Sequence, residues 1–247
     1  MIYLSGFHAI EERIKSGRPC GSLLVAKPGP RAREITALAS ERKVRIDRVG
    51  TAELDRLAPG HRGIALAVDE ASSSPDITLE EFIKGLDENR RNVLVAVLDE
   101  VTDPHNYGAI LRSCDQFGVD MVLTRNRRTA KYADVIARTS AGASAWVPQA
   151  ETPNLPRAVE ELKEAGFWIY AADMEGEPCY GKDLRGRTAI ILGGEAGLSR
   201  LLRENSDAMI AIPSLGRIDS LNVSVAAGVL FYEVMRQRTS AARTCAR

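Results

Sequence analysis

The sequence predicts an α/β protein: a largely parallel sheet covered on both faces, preceded by a small α/β unit. Beyond residue 90, short aliphatic runs alternate with amphipathic helical patterns, the order expected of strand–helix units. Those runs are nearly unbroken in their apolar character, as strands buried on both faces are. Near residue 74 both charge and composition change, marking a seam between two domains.

In the first seventy residues the apolar spacing predicts helices at His8 to Ile14 and Arg31 to Glu41, with strands at Leu23 to Ala26, Val44 to Val49 and Ile64 to Val68. This stretch carries 12 basic against 9 acidic side chains, whereas residues 71 to 100 carry 3 against 7. At the sign change sits Ala71-Ser72-Ser73-Ser74-Pro75, too small and polar to pack well, which reads as a linker. The expected domains are therefore residues 1–70 and 78–247, joined by 71–77.

The second domain is expected to run strand 93–98, helix 104–117, strand 119–124, helix 154–165, strand 167–172, strand 188–192, helix 198–205, strand 208–212 and helix 220–236. In the last helix Leu221, Val225, Gly228, Val229 and Tyr232 share one face and are expected to bury a stripe, in the core or against another chain. No internal repeat is visible, which excludes solenoids and propellers.

With 247 residues, 45% apolar and 27% charged, the chain can bury roughly 70% of its unfolded surface and needs no covalent staples. The 33 basic and 33 acidic residues balance, so anion binding must come from local patches. Cys20, Cys114, Cys179 and Cys245 are widely spaced, suggesting neither a zinc cluster nor a disulfide framework and fitting a reducing compartment. His8, His61 and His105 are not paired at helical spacing, so no metal site is expected; His8 and His61 read as structural. The longest aliphatic run, Val93 to Leu98, cannot span a bilayer, and the N-terminus lacks the features of a signal peptide, so a cytoplasmic location is expected.

Three segments follow expected strand ends, where open α/β sheets bind ligands. The first runs from Asp99 to Arg112; Asp103 is a good N-cap with Pro104 at the first helical position, and Ile110, Leu111, Cys114 and Phe117 form the buried face. Arg112 points away from that face, and alone would be explained by pairing with Asp115 or Gln116. Asn106 alone is a bland first-turn polar residue. The second segment, Ile191 to Ser199, enters a helix through a glycine turn; it is not a phosphate-binding GxxxxGK[ST] loop, a GxGxxG dinucleotide turn or a GxSxG elbow. Glu195 alone would be an acid favoured by a helix dipole. The third runs from Ile212 to Gly228: Ser220 could cap the final helix, but Asn222 and Ser224 at its apolar start require polar partners.

Together the segments resemble the SpoU (TrmH-type) branch of the SPOUT methyltransferases, which methylate a ribose 2′-hydroxyl of RNA with S-adenosylmethionine. Asn106-x-Gly108-x-x-x-Arg112 is similar to that family's first motif, Gly194-Glu195-x-Gly197-Leu198 to its second, and Ile212-Pro213 with Ser220-Leu221-Asn222-Val223-Ser224 to its third. Gly6-x-His8-Ala9 and His61-x-Gly63-Ile64-Ala65 resemble the substrate-binding domain of the subgroup that modifies a guanosine of 23S rRNA. The resemblance implies a C-terminal deep trefoil knot, an L30e-like N-terminal domain, and a homodimer packed through the knot and final helix. It implies a cofactor site around Gly193, Ile212 and Leu221, with Leu192, Gly194 and Ile210 nearby. Arg112 would act on the target hydroxyl and adjacent phosphate, oriented with the substrate by Asn106, Glu195, Ser220 and Asn222.

RNA is expected to lie on the basic loop Arg125, Asn126, Arg127, Arg128 and Lys131, with Arg138 further on and Lys15, Arg18, Arg31 and Arg33 as softer candidates; a merely solvated loop would look the same. The substrate is expected to be 23S rRNA, with transfer RNA as the alternative. A non-catalytic RNA-binding protein and, more distantly, a nicotinamide-dependent oxidoreductase are the competing readings.

Overall fold

The computed structural model describes residues 2–68, 77–87, 89–125, 132–217 and 220–245. Internal contacts divide the chain into two compact units, one made of Met1–Ser74, Tyr107–Arg112 and Arg128–Trp146, the other of Pro75–Asn106, Ser113–Arg127 and Val147–Arg247. Apart from Ile77, the residues of the expected linker lie outside the described residues.

The first unit begins with β1 (Ile2–Leu4), α1 (Phe7–Lys15), β2 (Leu23–Val25), α2 (Pro30–Glu41), β3 (Ile46–Arg48), α3 (Thr51–Leu57) and β4 (Ile64–Val68). Its sheet has the order β1-β4-β2-β3, with β4 antiparallel to both neighbours and β2 parallel to β3. Helices α1 and α2 bury Ile10, Ile14 and Ile35 against Leu23, Ile64 and Leu66, while Leu54 of α3 packs with Leu24 and Ala65 on the other side. Sequence periodicity misses β1, with 3 residues, and α3, with 7, both shorter than the windows over which such patterns become distinct.

Next come α4 (Leu79–Lys84), β5 (Val93–Asp99), α5 (Pro104–Phe117), β6 (Met121–Arg125), α6 (Ala133–Thr139), β7 (Gln149–Thr152), α7 (Leu155–Glu164), β8 (Trp168–Pro178), β9 (Arg187–Gly193), α8 (Arg200–Glu204), β10 (Ala208–Ala211) and α9 (Val223–Cys245). Of these, α6 packs with β1 and α1 in the first unit. The second unit is built on a six-stranded sheet of order β10-β8-β9-β5-β6-β7, in which every neighbouring pair is parallel.

β5 and β9 form the centre of this sheet, which explains their apolar runs Val93 to Leu98 and Ala189 to Leu192: all seven residues of β5 are buried. Helix α7 buries Leu155, Ala158, Val159 and Leu162 against Val95, Val97, Ile169 and Ile191. On α9 the buried face is Ala227, Leu230, Phe231 and Val234. The stripe expected to be buried in the core or against another chain is not taken into this chain's core: Leu221 is exposed by 48%, Val225 by 51%, Val229 by 39% and Tyr232 by 49%. The helix carries apolar residues on two faces, and this chain's core takes only one of them. Arg238 fastens α9 to the sheet by donating to the carbonyls of Val93 and Gly186 over 3.0 and 2.9 Å.

Candidate functional site

Asp99 ends β5 and is paired in register with Gly193, the last residue of β9. Both strands therefore deliver their following loops to the same edge of the sheet, the place where parallel sheets bind ligands. Asp99 holds the second loop at both ends. Its carbonyl accepts the Gly194 N–H over 2.8 Å, and its buried carboxylate accepts the Ser199 N–H over 2.7 Å. Within the loop Gly197 N–H donates to the Gly194 carbonyl over 3.0 Å.

Close backbone approach explains the glycines. A Cβ on Gly194 would lie 2.3 Å from the Glu100 carbonyl oxygen, and one on Gly193 would lie 2.5 Å from the carbonyl carbon of Gly197. Across that contact Glu100 has φ +55°, a left-handed conformation that costs a non-glycine residue about 1 kcal/mol or more. Strain of this kind is sustained where surrounding structure fixes the chain, here the grip of Asp99 on the neighbouring loop.

The first loop enters α5 as the sequence suggests. Asp103 caps it, accepting from the His105 and Asn106 N–H groups over 3.2 Å each, and Pro104 occupies the first turn. At the third segment the cap is Asn222: its Oδ1 accepts the Ser224 N–H over 2.9 Å and the Ser224 hydroxyl over 2.6 Å. The helix thus begins at Val223, and Ser220 lies exposed before it without capping it. The Nδ2 of Asn222 donates to Oδ1 of Asn106 over 2.9 Å, supplying the partner that a polar side chain at this helix start requires.

These three segments enclose a cavity of about 300 Å³ lined by Glu100, Val101, Thr102, Asp103, Asn106, Gly194, Glu195, Ala196 and Val223. It is the size of a small ligand site. Among the described residues its ionisable lining is acidic, from Glu100, Asp103 and Glu195, which suits a ligand bearing positive charge and opposes a phosphate.

Of the residues assigned to catalysis from the sequence, Asn106 and Glu195 line this cavity and Asn222 is bonded to the first of them. Arg112 does not line it. It is exposed, six residues beyond Asn106 on α5, which places it about 9 Å further along the helix axis. Among the expected cofactor residues, Gly194 lines the cavity and Gly193 precedes it. Leu192 and Ile210 are buried in the sheet, Ile212 is half-buried and Leu221 is exposed.

Of the basic loop, Arg125 is the exposed end of β6, while Asn126, Arg127, Arg128 and Lys131 lie outside the described residues. Arg138 is paired with Asp134 over 3.2 Å, Lys15 with Glu11 and Glu12, and Arg31 with Glu11 and Glu34. Arg18 donates to the Ser144 carbonyl over 2.9 Å.

Asp99, Glu100 and Thr102 fall within the first segment read from the sequence, which assigns them no individual role. The available signal was a carboxylate ending an otherwise apolar buried strand, which must be bonded to something. His8, Glu11 and Glu12 come within 4.8 Å of one another, but the carboxylates are already taken up in the ion pairs with Lys15 and Arg31. Cys20, Cys114 and Cys179 are unbridged, and burial pushes the Cys114 thiol well above its ordinary range. Among the described residues no helix is long and apolar enough to cross a membrane.

Comparison with known proteins places this geometry among relatives. Residues 93–232 match the model of the SpoU rRNA Methylase family, and residues 3–74 match that of RNA 2′-O ribose methyltransferase substrate binding. A Borreliella burgdorferi protein named only as an uncharacterized tRNA/rRNA methyltransferase is 38% identical over 223 residues, covering 87% of this chain and 98% of its own. The 23S rRNA (guanosine-2′-O-)-methyltransferase RlmB of Pseudomonas syringae is 37% identical over 214 residues, covering 85% and 84%. The crystal structure of the SpoU methyltransferase AviRb from Streptomyces viridochromogenes in complex with AdoMet superposes with TM-score 0.78 at 25% identity, covering 96% of this chain and 90% of that one.

Proposed function

The chain belongs to the SpoU rRNA Methylase family, and from that premise we propose that it methylates the ribose 2′-hydroxyl of a guanosine in 23S rRNA. It is an RNA ribose 2′-O-methyltransferase whose cofactor is S-adenosylmethionine. The observation that carries the reading is the bond between Asn222 and Asn106, which unites the third motif with the first beside the Gly194–Glu195 turn of the second.

The residues present fit such a cofactor. The loop backbone around Gly193 and Gly194 would hold it, and the acidic lining from Glu100, Asp103 and Glu195 complements its positive charge. Bound there, S-adenosylmethionine supplies an electrophilic methyl group on a cationic sulfur. The ribose oxygen gains the methyl carbon as the carbon–sulfur bond breaks, and the hydroxyl proton must leave. Asn222 occupies the Oδ1 of Asn106 and so fixes its amide, leaving the Nδ2 of Asn106 to donate to a substrate oxygen. Glu195 and Ser220 complete the orienting set.

Among the described residues the cavity lining holds no cation, so the positive partner for the RNA phosphate is sought outside it, and Arg112 is assigned that role. A guanidinium retains its proton at ordinary pH, so Arg112 acts as a bidentate clamp on the phosphate and the developing alkoxide rather than as a base. The proton leaves through phosphate or water. Holding donor and acceptor in line can contribute about 7–11 kcal/mol in the best cases.

The C-terminal segment is proposed to thread as a deep trefoil knot, the first unit to be of the L30e type, and the location to be the cytoplasm. The exposed Leu221, Val225, Val229 and Tyr232 are proposed to pack against a second copy, since contiguous apolar residues on a surface mark an interface. The 37% identity to a 23S rRNA guanosine methyltransferase supports the ribosomal substrate. The test is incubation with labelled S-adenosylmethionine and separate pools of unmodified 23S rRNA and tRNA, followed by mapping of alkali-resistant linkages. One resistant linkage at a guanosine of 23S rRNA is expected. Label confined to tRNA would move the substrate assignment, and label on a base would overturn the ribose chemistry.

A further inference from the structure

The first unit's match to a substrate-binding model does not say which of its surfaces meets RNA, and its cations are far from evenly distributed. Strands β1, β2 and β3 all end at one edge of the sheet, the edge where antiparallel β4 begins: Val25 pairs with both Arg48 and Ile64. Lys27 follows β2, Arg48 ends β3 and Arg62 precedes β4. Arg33 reaches back from α2 to the Pro28 carbonyl, at 3.4 Å. All four are exposed, and among the described residues none is paired with a carboxylate.

The cations elsewhere on the unit differ. Lys15, Arg31 and Arg45 are neutralised by Glu11, Glu12, Glu34 and Asp47. Among the described residues Arg42 and Lys43 are paired with no carboxylate, but they stand at the opposite end, between α2 and β3. At the four-cation edge the carboxylate of Asp55 is taken up by His61 at 3.0 Å.

The edge is also held in place. His61 uses both ring nitrogens, Nε2 on Asp55 and Nδ1 accepting the Gly63 N–H over 2.9 Å. Gly63 has φ +91°, and a Cβ there would lie 2.2 Å from the Lys27 carbonyl oxygen, so the loops bearing Arg62 and Lys27 are pressed together. Arg62 lies over the Phe7 ring at 5.7 Å. Cations fixed on neighbouring loops lose less freedom on meeting a polyanion than mobile ones do.

We propose that this edge, through Lys27, Arg33, Arg48 and Arg62, is the surface of the first unit that binds the RNA sugar–phosphate backbone. The proposal rests on the RNA-substrate reading above. Phosphate contacts position a nucleic acid without reading its sequence, so this edge would dock the substrate and leave choice of nucleotide to the methyl-transfer site.

The test measures binding of the full chain to unmodified 23S rRNA across a salt series, with unmodified tRNA as a second probe. The variant Lys27→Gln, Arg33→Gln, Arg48→Gln, Arg62→Gln is compared with the control Arg42→Gln, Lys43→Gln, and melting curves show that each folds. The four-site variant is expected to weaken binding by on the order of tenfold or more at physiological salt and to flatten the slope of log affinity against log salt by about 3. The control should leave the slope unchanged. A folded four-site variant with the wild-type slope, or an equal effect per charge from the control, would overturn the assignment of this edge. Failure of the wild type to bind either RNA would instead overturn the underlying RNA reading.

Discussion

Asn222 donates to Asn106 over 2.9 Å across 116 residues of sequence. The same Asn222 caps α9 through its Oδ1, so one side chain both starts the final helix and holds the side chain that faces the cavity. These roles are separable. Asn222→Ala should cost about 1 kcal/mol as a lost cap, lowering the melting temperature by roughly 2–4 °C. Asn222→Asp keeps the capping acceptor but sets a carboxylate against Oδ1 of Asn106. It should melt near the wild type while losing at least ~10-fold in turnover, equivalent to ~1.4 kcal/mol at the transition state. Calorimetric melts and methyl-incorporation rates check the pair; wild-type turnover in the aspartate variant would remove Asn106 from the mechanism.

Arg112→Lys preserves charge and removes the planar fork. On the clamp model this variant folds normally and loses most activity, because a point charge cannot hold a phosphate and an alkoxide together. Single-turnover rates with saturating RNA are the readout, and near-normal turnover would argue against bidentate geometry.

The exposed stripe on α9 makes a prediction about assembly. Val225→Glu places a charge among Leu221, Val229 and Tyr232, where a second copy could not accommodate it without cost. Sedimentation is expected to show a dimer for the wild type and a monomer for the variant. A wild-type monomer, or a variant that still dimerises with wild-type affinity, would place the interface elsewhere.

Much of the second unit can be read directly from the sequence because burial there writes itself into composition. The central strands carry apolar runs, Val93 to Leu98 and Ala189 to Leu192, and α5 announces its start with Asp103-Pro104 and its end with Gly118, whose φ is +68°. The cavity residues Asn106, Gly194 and Glu195 were legible through their motifs. Asp99 was not, because its role lies in bonds to Gly194 and Ser199 that exist only once β5 and β9 are side by side. The face of α9 was ambiguous for a related reason: periodicity shows that a helix has an apolar stripe, but not whether its own chain or another covers it.

Acid should loosen α9. Glu233 accepts from Arg236 over 2.7 and 2.8 Å and from Gln237 over 2.8 Å, and these bonds, the Arg236 contact foremost, hold its carboxyl below the ordinary range. Gln237 in turn accepts the Leu184 N–H and donates to the Lys182 carbonyl. A group whose folded pKa is depressed stabilises the fold above its unfolded value, ~4.3 for glutamate, and loses that contribution as pH falls through the folded value. Glu233→Gln should therefore narrow the stability difference between pH 7 and pH 3 in urea titrations. An unchanged acid limb would show that the Glu233 contacts contribute nothing to it.

Binding of the methyl donor in the cavity beneath the Gly193–Gly194 turn is the central requirement of the proposed function. Calorimetric titration of S-adenosylmethionine into the wild type and into Gly194→Ala tests this most directly, because the added Cβ would stand 2.3 Å from the Glu100 carbonyl oxygen and force the turn away from the first loop. The predicted result is saturable binding by the wild type and loss of at least ~10-fold in affinity by a variant that still melts cooperatively. Undiminished affinity in the folded variant would contradict the claim.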